Sequence, residues 1–418
     1  MRSSIRAVVL LSVIGGVLPV TSCAEEKQVE VLALTKEQWH EDVAYFAREL
    51  PARHKNLYHR ISQEEFERDV AALDAAIPSL ENHEIVIGMQ KITAKIGDGH
   101  TGVRMPQAFA IYPIAAFWFG DELRVTRAAP AYKDAVGARI VKIGDVDIGE
   151  VQKRLLTVIC QGENEWYVMS ASPSFMLRPE VLHALEIVPE LNRASFTFAS
   201  EDGKQFALDI VPVAADPAMN ARMVTLGQEE PLFRKKPGEA FWFTYLPETD
   251  TVYANFRKYD SLVEDARKLF ELVDSNPTKR LVIDLRQNGG GDFWKGRLNL
   301  LSGIKKRPEL NQKGNLFVLI GRRTFSAAMV NAIDFKKDTN AILVGEPIGE
   351  RPNSYSENDE MTLPNSGIVV SYSTRYYKFL DEDAPAVMPD QRIDPAWEDF
   401  KAGRDPVLDW ALSYTPEN

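Results

Sequence analysis

A serine stands where an apolar strand pattern gives way to a helical one. The run Leu316–Ile320 predicts a buried strand, and Phe325, Met329 and Ile333 then recur at helical spacing, with Ser326 between the two elements. A hydroxyl at a helix N terminus faces free N–H groups and a partial positive charge, which stabilise a developing oxyanion. Serine is also a favoured helix cap. The local sequence therefore leaves two roles open for Ser326, helix cap and nucleophile.

A glycine-rich turn, "DLRQNGGGD" at residues 284–292, follows a second buried strand. Glycine permits positive φ angles and close approach of a substrate to the backbone. Backbone N–H groups in this turn are therefore candidates for an oxyanion hole or an anion-binding site, and a plain turn is the alternative. A nucleotide site is not predicted, because neither the phosphate-binding loop motif nor the dinucleotide motif is present.

His100 lies in a glycine-flanked loop, "GDGHTG" at residues 97–102. A neutral imidazole near pH 7 is the usual general base for a serine, although a loop histidine can also be structural or solvated. The remaining histidines show no metal-type spacing, so no metal site and no cofactor are predicted. These histidines are His40, His54, His59, His83 and His183.

The composition is that of a globular protein with room for two or three domains. The chain has 418 residues, of which 45% are hydrophobic and 26% are charged. Its formal net charge is −11 and no lysine- or arginine-rich stripe is present, which argues against binding to nucleic acid.

Residues 1–22 are predicted to be a signal peptide. A basic start precedes the apolar run "AVVLLSVIGGVLPV", which is too short and too glycine-broken for a good membrane span. Small residues then lead into Cys23, as in a bacterial lipobox, where the cysteine becomes the lipidated first residue. Plain secretory cleavage near Ala24 is the alternative. We expect an exported protein of the bacterial cell envelope, held at a membrane surface if Cys23 is acylated. Cys160 is expected to be a buried spectator thiol.

The elements divide the rest of the chain into three regions. Apolar residues at helical spacing predict a helical unit over 36–108, which ends in the His100 loop. Short strands and glycine turns predict a β-rich region over 110–215, followed by a linker near 216–238. From 238 to 418 apolar strands alternate with helices, a pattern typical of parallel strands joined by right-handed crossovers.

Five motifs, taken in order, resemble the S41 peptidases, the family of C-terminal processing and tricorn-type serine proteases. Its histidine-dependent bacterial branch is the most similar. The resemblance implies a crotonase-like (ClpP-type) α/β core, an accessory helical unit, a PDZ-like domain within 110–215, and hydrolysis of peptides or of protein C-terminal tails. The motifs are "GDGHT", "IDLRQNGGG", "RTFSAAM", "VGEPIGERPNSYSE" and "MPDQRIDP".

The resemblance also implies roles for individual residues. Ser326 stands where this branch has its nucleophile, and His100 stands where it has its general base. The Gly290 region, with Gly291 as neighbour, and the N–H of Ala327 match its oxyanion hole. A base that takes the serine proton and backbone donors that stabilise a tetrahedral oxyanion make a consistent mechanism.

Two departures from the family pattern matter. The processing-protease branch has a catalytic lysine about two dozen residues after its serine, and here no lysine lies between Lys337 and Lys378. His100 must therefore act as the base. The acidic residue that orients the histidine is expected to be Asp383, or Glu357 as the second candidate.

The sequence favours an exported serine peptidase acting on a peptide or protein substrate. A non-catalytic protein of the same fold that holds an apolar ligand or a peptide is the alternative, because fold alone does not settle function. An envelope scaffold that captures peptide C termini through the PDZ-like region is a third hypothesis. The oligomeric state is not predicted.

Overall fold

A computed structural model describes residues 33–216 and 218–416 as a mixed α/β protein. Its helices are α1 Lys36–Arg53, α2 Gln63–Ala76, α3 Asn82–Ile96, α4 Ile148–Leu155, α5 Glu165–Met176, α6 Pro179–Ala184, α7 Leu262–Asp274, α8 Phe293–Lys295, a π-helical segment Gly296–Leu301, α9 Ser302–Lys305, α10 Ala327–Asp338, α11 Trp397–Lys401 and α12 Pro406–Ser413. Short 3₁₀ turns cover Leu57–His59, Ile77–Ser79, Pro130–Ala135, Met219–Arg222, Leu232–Arg234 and Pro247–Thr249.

The strands form four sheets. They are β1 Gly102–Val103, β2 Ala110–Ile111, β3 Ile114–Phe119, β4 Glu122–Ala128, β5 Arg139–Ile143, β6 Val146–Asp147, β7 Ala194–Ala199, β8 Gln205–Ile210, β9 Val213–Ala214, β10 Phe241–Leu246, β11 Thr251–Phe256, β12 Arg280–Asp284, β13 Leu316–Ile320, β14 Ile342–Gly345, β15 Asn353–Thr362, β16 Val369–Lys378 and β17 Gln391–Arg392.

The six-stranded core sheet confirms the alternating pattern predicted for the C-terminal region. Its order is β10-β11-β12-β13-β14-β17. Neighbours from β11 to β17 pair in parallel, and β10 pairs with β11 antiparallel. Every residue of β11, β13 and β14 is buried, because helices or other segments cover both faces of the sheet. The glycine turn and Ser326 follow β12 and β13, so neighbouring parallel strands bring them to the same edge.

The N-terminal helices form as the apolar spacing predicts. Thr35 caps α1 in a reciprocal capping box with Gln38, and the Ser62 side chain caps α2. Helix α3 ends at Gly97, whose φ of 87° is accessible to glycine at little cost. This left-handed residue turns the chain out of the helix and into the His100 loop.

The β-rich region contains a main sheet of order β3-β4-β5-β7-β8, with β6 paired to β5, and a separate two-stranded sheet formed by β2 and β9. The predicted order of helical turn, strand, tight turn, strand and helix is observed, and α4 completes it. Between this region and the core sheet, the described positions of residues 215–240 contain short 3₁₀ turns and one isolated β-bridge, from Val224 to Ala128 of β4.

A long hairpin, β15–β16, joins distant parts of the chain. Strand β1 pairs antiparallel with β16, Gly102 opposite Ser371, directly after the His100 loop. Val370 of this hairpin is buried in one hydrophobic cluster with Trp39 of α1 and Phe196 of β7. The helical unit and the β-rich region therefore share a core with the hairpin, and that shared core fixes the His100 loop against the C-terminal half.

Across the described residues, no helix combines the length and the apolar character needed to cross a lipid bilayer. Cys23 and the expected signal peptide lie outside the described residues.

Candidate active site

Ser326 connects the turn after β13 to helix α10 in a strained conformation. Its φ of 53° and ψ of −124° are sparsely populated by residues with a side chain. Such a backbone costs on the order of 1–3 kcal/mol and persists where the surroundings enforce it. Ser326 occupies the N-cap position of α10, but its side chain makes no capping hydrogen bond. The hydroxyl is therefore not committed to the helix, which favours a chemical role over the cap.

His100 is a buried imidazole with neither ring nitrogen hydrogen-bonded. Its ring stacks on that of Phe325, the residue before the serine, with 4.9 Å between ring centroids. Burial lowers the pKa of His100 to about 4, and the charge of Asp98 opposes this shift only in part. The imidazole is therefore neutral near pH 7 and able to accept a proton.

Asp98 fixes the His100 loop through hydrogen bonds to two distant segments. One oxygen of this buried carboxylate lies 3.0 Å from His54 Nε2, and the other accepts the Ser373 hydroxyl at 2.6 Å. The loop is tied to the helical unit through His54 and to the β15–β16 hairpin through Ser373. His100 is thus positioned by elements more than 250 residues apart in sequence.

Glu350 is the acidic residue beside His100. Its Oε1 lies 3.7 Å from His100 Nδ1, beyond hydrogen-bond range, and its Oε2 accepts the backbone N–H of Ser326. The side chain is fully buried. Burial, and then the negative charge of Glu163, raise the Glu350 pKa well above its ordinary value. One carboxyl group therefore contacts the backbone of the candidate nucleophile and faces the candidate base.

Glu163 ties the two loops of the site together. Its carboxylate accepts the Gly99 N–H at 3.0 Å and the Arg351 N–H at 2.8 Å, next to His100 and Glu350 respectively. Burial raises the Glu163 pKa, and the two backbone hydrogen bonds oppose that shift. The preceding residue, Gly162, must be glycine, because a Cβ there would lie 1.8 Å from the carbonyl oxygen of Gly97.

Neither predicted acidic residue contacts His100. Asp383 is exposed and pairs with Arg351 at 3.2 Å, and Glu357 pairs with Arg375 at 3.3 Å. In the described part of the chain, Glu350 is the one carboxylate within ion-pair distance of His100. The sequence held a signal for it, because Glu350 lies 24 positions after Ser326, where the processing-protease branch has its lysine.

The predicted oxyanion-hole residues are only partly assembled. A Cβ on Gly290 (φ 110°) would lie 2.6 Å from the Ser326 Cβ and 3.2 Å from the Ala327 nitrogen, so the glycine turn packs directly on the serine. As the first residue of α10, Ala327 has no intrahelical acceptor for its N–H. The N–H of Gly290 instead donates to Asn288 Oδ1 at 2.9 Å. Gly291 packs on the ring of Tyr259.

Asn288 is a member of the site to which the sequence interpretation gave no role. It is fully buried, and its backbone carbonyl accepts the Phe325 N–H at 3.0 Å. Its side-chain oxygen accepts the Gly290 N–H, while its Nδ2 has no hydrogen-bond partner. Asn288 thereby links the glycine turn to the serine turn, and its side chain offers one free donor beside them.

Several buried polar atoms of the site have no hydrogen-bond partner. Within residues 33–216 and 218–416 they are both ring nitrogens of His100, Oε1 of Glu350 and Nδ2 of Asn288, and six further atoms of this kind lie elsewhere. Buried polar atoms are normally paired, so the unpartnered atoms of His100 and Glu350, which face each other at 3.7 Å, mark a place where a ligand can complete the network. An open cleft of about 430 Å³ leads to it, lined by Gly99, Tyr167, Ser170, Ala171, Gln287, Gly289, Arg322, Arg323 and Phe325.

The other candidate groups lie apart from this network. Cys160 is buried without a disulfide, and burial raises its thiol pKa, as expected for a spectator. His83 and His183 come together through helices α3 and α6, with 3.0 Å between Nε2 and Nδ1 and with Glu84 nearby. That cluster is at the start of α3, about 20 Å along the helix from the His100 loop. Spacing along the chain did not reveal it.

Neither a protein-family model nor a curated protein matches the sequence. Solved structures do. The structure of mature CPAF complexed with lactacystin aligns with a TM-score of 0.62 at 12% identity, over 90% of this chain and 98% of that one. Mature CPAF alone gives the same score and identity, over 90% and 96%. The photosystem II D1 C-terminal processing protease aligns with a TM-score of 0.41 at 15% identity, over 89% and 99%. The chain therefore has the fold of mature CPAF along about nine-tenths of its length.

Proposed function

We propose that the chain is a serine peptidase of the S41 type, which hydrolyses peptide bonds in peptides or in protein C-terminal tails. The observation that carries the proposal is the network around Ser326. It comprises a strained serine with an uncommitted hydroxyl, a buried neutral His100 with two unpaired nitrogens, and Glu350 between them. The order of the sequence motifs and the fold shared with mature CPAF support it.

The chemistry follows from the protonation states. Neutral His100 takes the Ser326 proton through the nitrogen that does not face Glu350, while the Ser326 oxygen attacks the peptide carbonyl. His100 then donates this proton to the leaving amine, and the C–N bond breaks to give an acyl-enzyme. Water, deprotonated by His100, hydrolyses that ester and restores Ser326. The Ala327 N–H stabilises the oxyanion of each tetrahedral intermediate.

Glu350 is proposed as the acidic partner of His100 in place of Asp383 or Glu357. In the resting structure no cation offsets its burial, so its carboxyl group favours the protonated form. Glu350 therefore acts after it has lost its proton to solvent, and its ionised form stabilises the imidazolium that His100 becomes during the reaction. The 3.7 Å between Glu350 Oε1 and His100 Nδ1 must shorten to a hydrogen-bond distance. Catalytic hydrogen bonds often tighten only when substrate binds.

The second oxyanion donor is proposed to come from the glycine turn. The Gly290 N–H can serve if it leaves the Asn288 side-chain oxygen, and Asn288 Nδ2 is a buried donor without a partner in the same turn. Gly291 contributes the room that the turn needs, because its backbone packs closely on Tyr259.

Fold and location complete the proposal. We assign residues 238–418 to a crotonase-like α/β core, 110–215 to a PDZ-like region and 36–108 to the accessory helical unit. The parallel sheet and the strand order of the β-rich region support the first two assignments. We further propose export to the bacterial cell envelope with a lipid on Cys23. Incorporation of labelled palmitate that disappears in Cys23→Ser would support that location, and equal incorporation in the variant would refute it.

Activity labelling tests the enzyme assignment. Wild-type protein should react with a fluorophosphonate probe at Ser326 and should cleave unstructured peptides. Ser326→Ala should remove labelling and lower the rate by about 10⁴-fold or more, because the members of such a catalytic group act as a unit. Ser79→Ala, an exposed serine in a 3₁₀ turn, is the matched control and should behave as wild type. Undiminished hydrolysis by purified Ser326→Ala would refute the proposal.

A further inference from the structure

A second cavity adjoins the candidate active site. It has a volume of about 310 Å³ and lies between the β-rich region, the segment after it and the ends of β12 and β13. It shares Gln287, Arg322 and Arg323 with the cleft that leads to Ser326. A group bound in this cavity is therefore next to whatever occupies the cleft.

The cavity is strongly basic. Six arginines and three carboxylates line it, and every carboxylate is already paired. Asp405 pairs with Arg286 at 2.8 Å, Glu346 with Arg322 at 2.9 Å, and Asp399 with Arg404 at 2.7 Å. Within the described part of the chain, the other three arginines form no ion pair. They are Arg127, Arg234 and Arg323.

The pKa values of two of these arginines, Arg234 and Arg323, are lowered by burial and by neighbouring positive charge. Burial lowers the Arg234 pKa to about 10, and the charge of Arg127 is the next cause, with exposed Glu230 opposing it. The surrounding protein lowers the Arg323 pKa by desolvating the guanidinium, the charges of Arg322 and Arg127 lower it further, and the charge of Glu346 opposes them. The Arg323 side chain nevertheless reaches solvent. Like charges gathered in a partly desolvated space are costly, and a bound anion would relieve that cost.

Aromatic rings of the cavity wall lie beside two of these arginines. The Arg234 guanidinium lies 4.0 Å from the centroid of the Phe400 ring, and Arg323 lies 5.9 Å from that of Phe117. A guanidinium stacked on an aromatic face keeps its N–H donors in the ring plane available, and those donors match the two oxygens of a carboxylate. The cavity thus offers planar donors rather than only positive charge.

We propose that this cavity is a specificity site for a carboxylate of the bound peptide, recognised by Arg127, Arg234 and Arg323. The inference rests on the proposed peptidase function and names its substrate class. Arg323 is three residues before Ser326, which limits their separation to about 10 Å along an extended backbone. With the length of the arginine side chain added to that limit, the recognised carboxylate is within a few residues of the bond that is cut. An acidic side chain and a free C terminus offer the same chemistry.

Binding to an inert enzyme tests the site without relying on catalysis. The experiment uses the full chain with Ser326→Ala and four fluorescent peptides that share one uncharged sequence. They carry an acidic side chain or its amide, and a free or an amidated C terminus. Anisotropy should show about tenfold tighter binding of a carboxylate-bearing peptide than of the uncharged one, and the gap should narrow at high salt. Whichever carboxylate gives the preference identifies its source.

Arginine variants test whether the cavity produces the preference for carboxylate-bearing peptides. Arg127→Gln and Arg234→Gln, each in the inert background, should reduce the carboxylate preference about tenfold and leave binding of the uncharged peptide unchanged, because neither arginine lines the cleft to Ser326. Arg323→Lys keeps the positive charge but loses the paired N–H donors of the guanidinium, so this variant should retain part of the carboxylate preference. Arg48→Gln, an exposed arginine on α1, is the control. Circular dichroism of each variant establishes that it is folded.

The two proposals fail differently. Any of three results would overturn the carboxylate site, even if the wild type cleaves peptides. They are equal affinity for all four peptides, absence of binding to any of them, and a carboxylate preference that survives in both glutamine variants. A carboxylate preference lost in the arginine variants, with no hydrolysis by the wild type, would uphold the binding site and refute the peptidase.

Discussion

Oε1 of Glu350 lies 3.7 Å from Nδ1 of His100, and both side chains are buried. The relationship is close enough for strong electrostatic coupling, yet no hydrogen bond fixes it. Glu350 already accepts the backbone N–H of Ser326, so one side chain couples the position of the nucleophile to the charge of the base. The predictions below follow from that coupling and from the packing around it.

Replacing Glu350 separates its role from those of the acids predicted from sequence. Glu350→Gln keeps an oxygen that can accept the Ser326 N–H but cannot carry a negative charge, so it should lower kcat/KM by about 10²–10⁴-fold. Its melting temperature should stay near that of wild type, because no buried charge is left unpaired. The measurement is steady-state peptide hydrolysis together with thermal unfolding.

Asp383→Asn is the matched control for that substitution. Asp383 is exposed and pairs only with the Arg351 side chain, so the variant should retain activity within about threefold, as expected for an exposed ion pair. An equal loss of kcat/KM in Asp383→Asn and Glu350→Gln would restore Asp383 as the orienting acid and remove Glu350 from that role.

The titration of His100 should be unusual for a histidine. Its pKa is lowered to about 4 by burial, so its ring protons should titrate far below the ordinary 6.5 in an NMR pH series. Because the folded-state pKa is depressed, the unfolded chain binds the proton first as the pH falls. Wild type should therefore lose stability between about pH 6.5 and 4, by roughly 3 kcal/mol in total.

His100→Gln isolates this contribution. The variant lacks the titrating ring, so its unfolding free energy should fall less steeply than that of wild type between pH 6.5 and 4. Parallel stability curves for the two proteins, or a ring titration near 6.5, would show that the imidazole is not held neutral by burial.

The fall of kcat/KM at low pH should reflect protonation of carboxyl groups and not of His100. His100 is already unprotonated above about pH 4, whereas the Glu350 pKa is raised and the ionised form is the one proposed to act. Glu163→Gln removes the neighbouring negative charge, which should lower the Glu350 pKa and move the acid limb of kcat/KM to lower pH. An unmoved or upward-shifted limb would contradict this coupling.

The sequence predicted the helices and strands better than the contacts between elements that are far apart in the chain. The apolar positions of α7, among them Leu262, Leu269 and Phe270, are the buried ones, and β12 and β13 lie in parallel as their unbroken hydrophobic runs imply. Local spacing suffices there, because an element's own residues decide which face is buried. The pairing of β1 with β16 was not foreseen, since it joins residues about 270 positions apart and no local pattern encodes it.

The same limit applies to the site. Ser326 and His100 were identified from turn chemistry and motif order, and the structure links them through the contact of Phe325 with the His100 ring and the shared neighbour Glu350. Glu163 was missed because its role exists only in three dimensions, where it joins the loops before His100 and after Glu350. No spacing along the chain records that a carboxylate at 163 faces backbone N–H groups at 99 and 351.

Gly290 tests whether the glycine turn supports the nucleophile. Its φ of 110° and the 2.6 Å from an added Cβ to the Ser326 Cβ mean that Gly290→Ala must push the serine turn away. Fluorophosphonate labelling at Ser326 and kcat should therefore fall at least about 10²-fold, as expected when a donor group and the nucleophile are misplaced. Gly238→Ala is the matched control, because a Cβ there meets nothing within 4 Å. That variant should label normally. Full labelling of folded Gly290→Ala would mean that the turn is not part of the catalytic geometry.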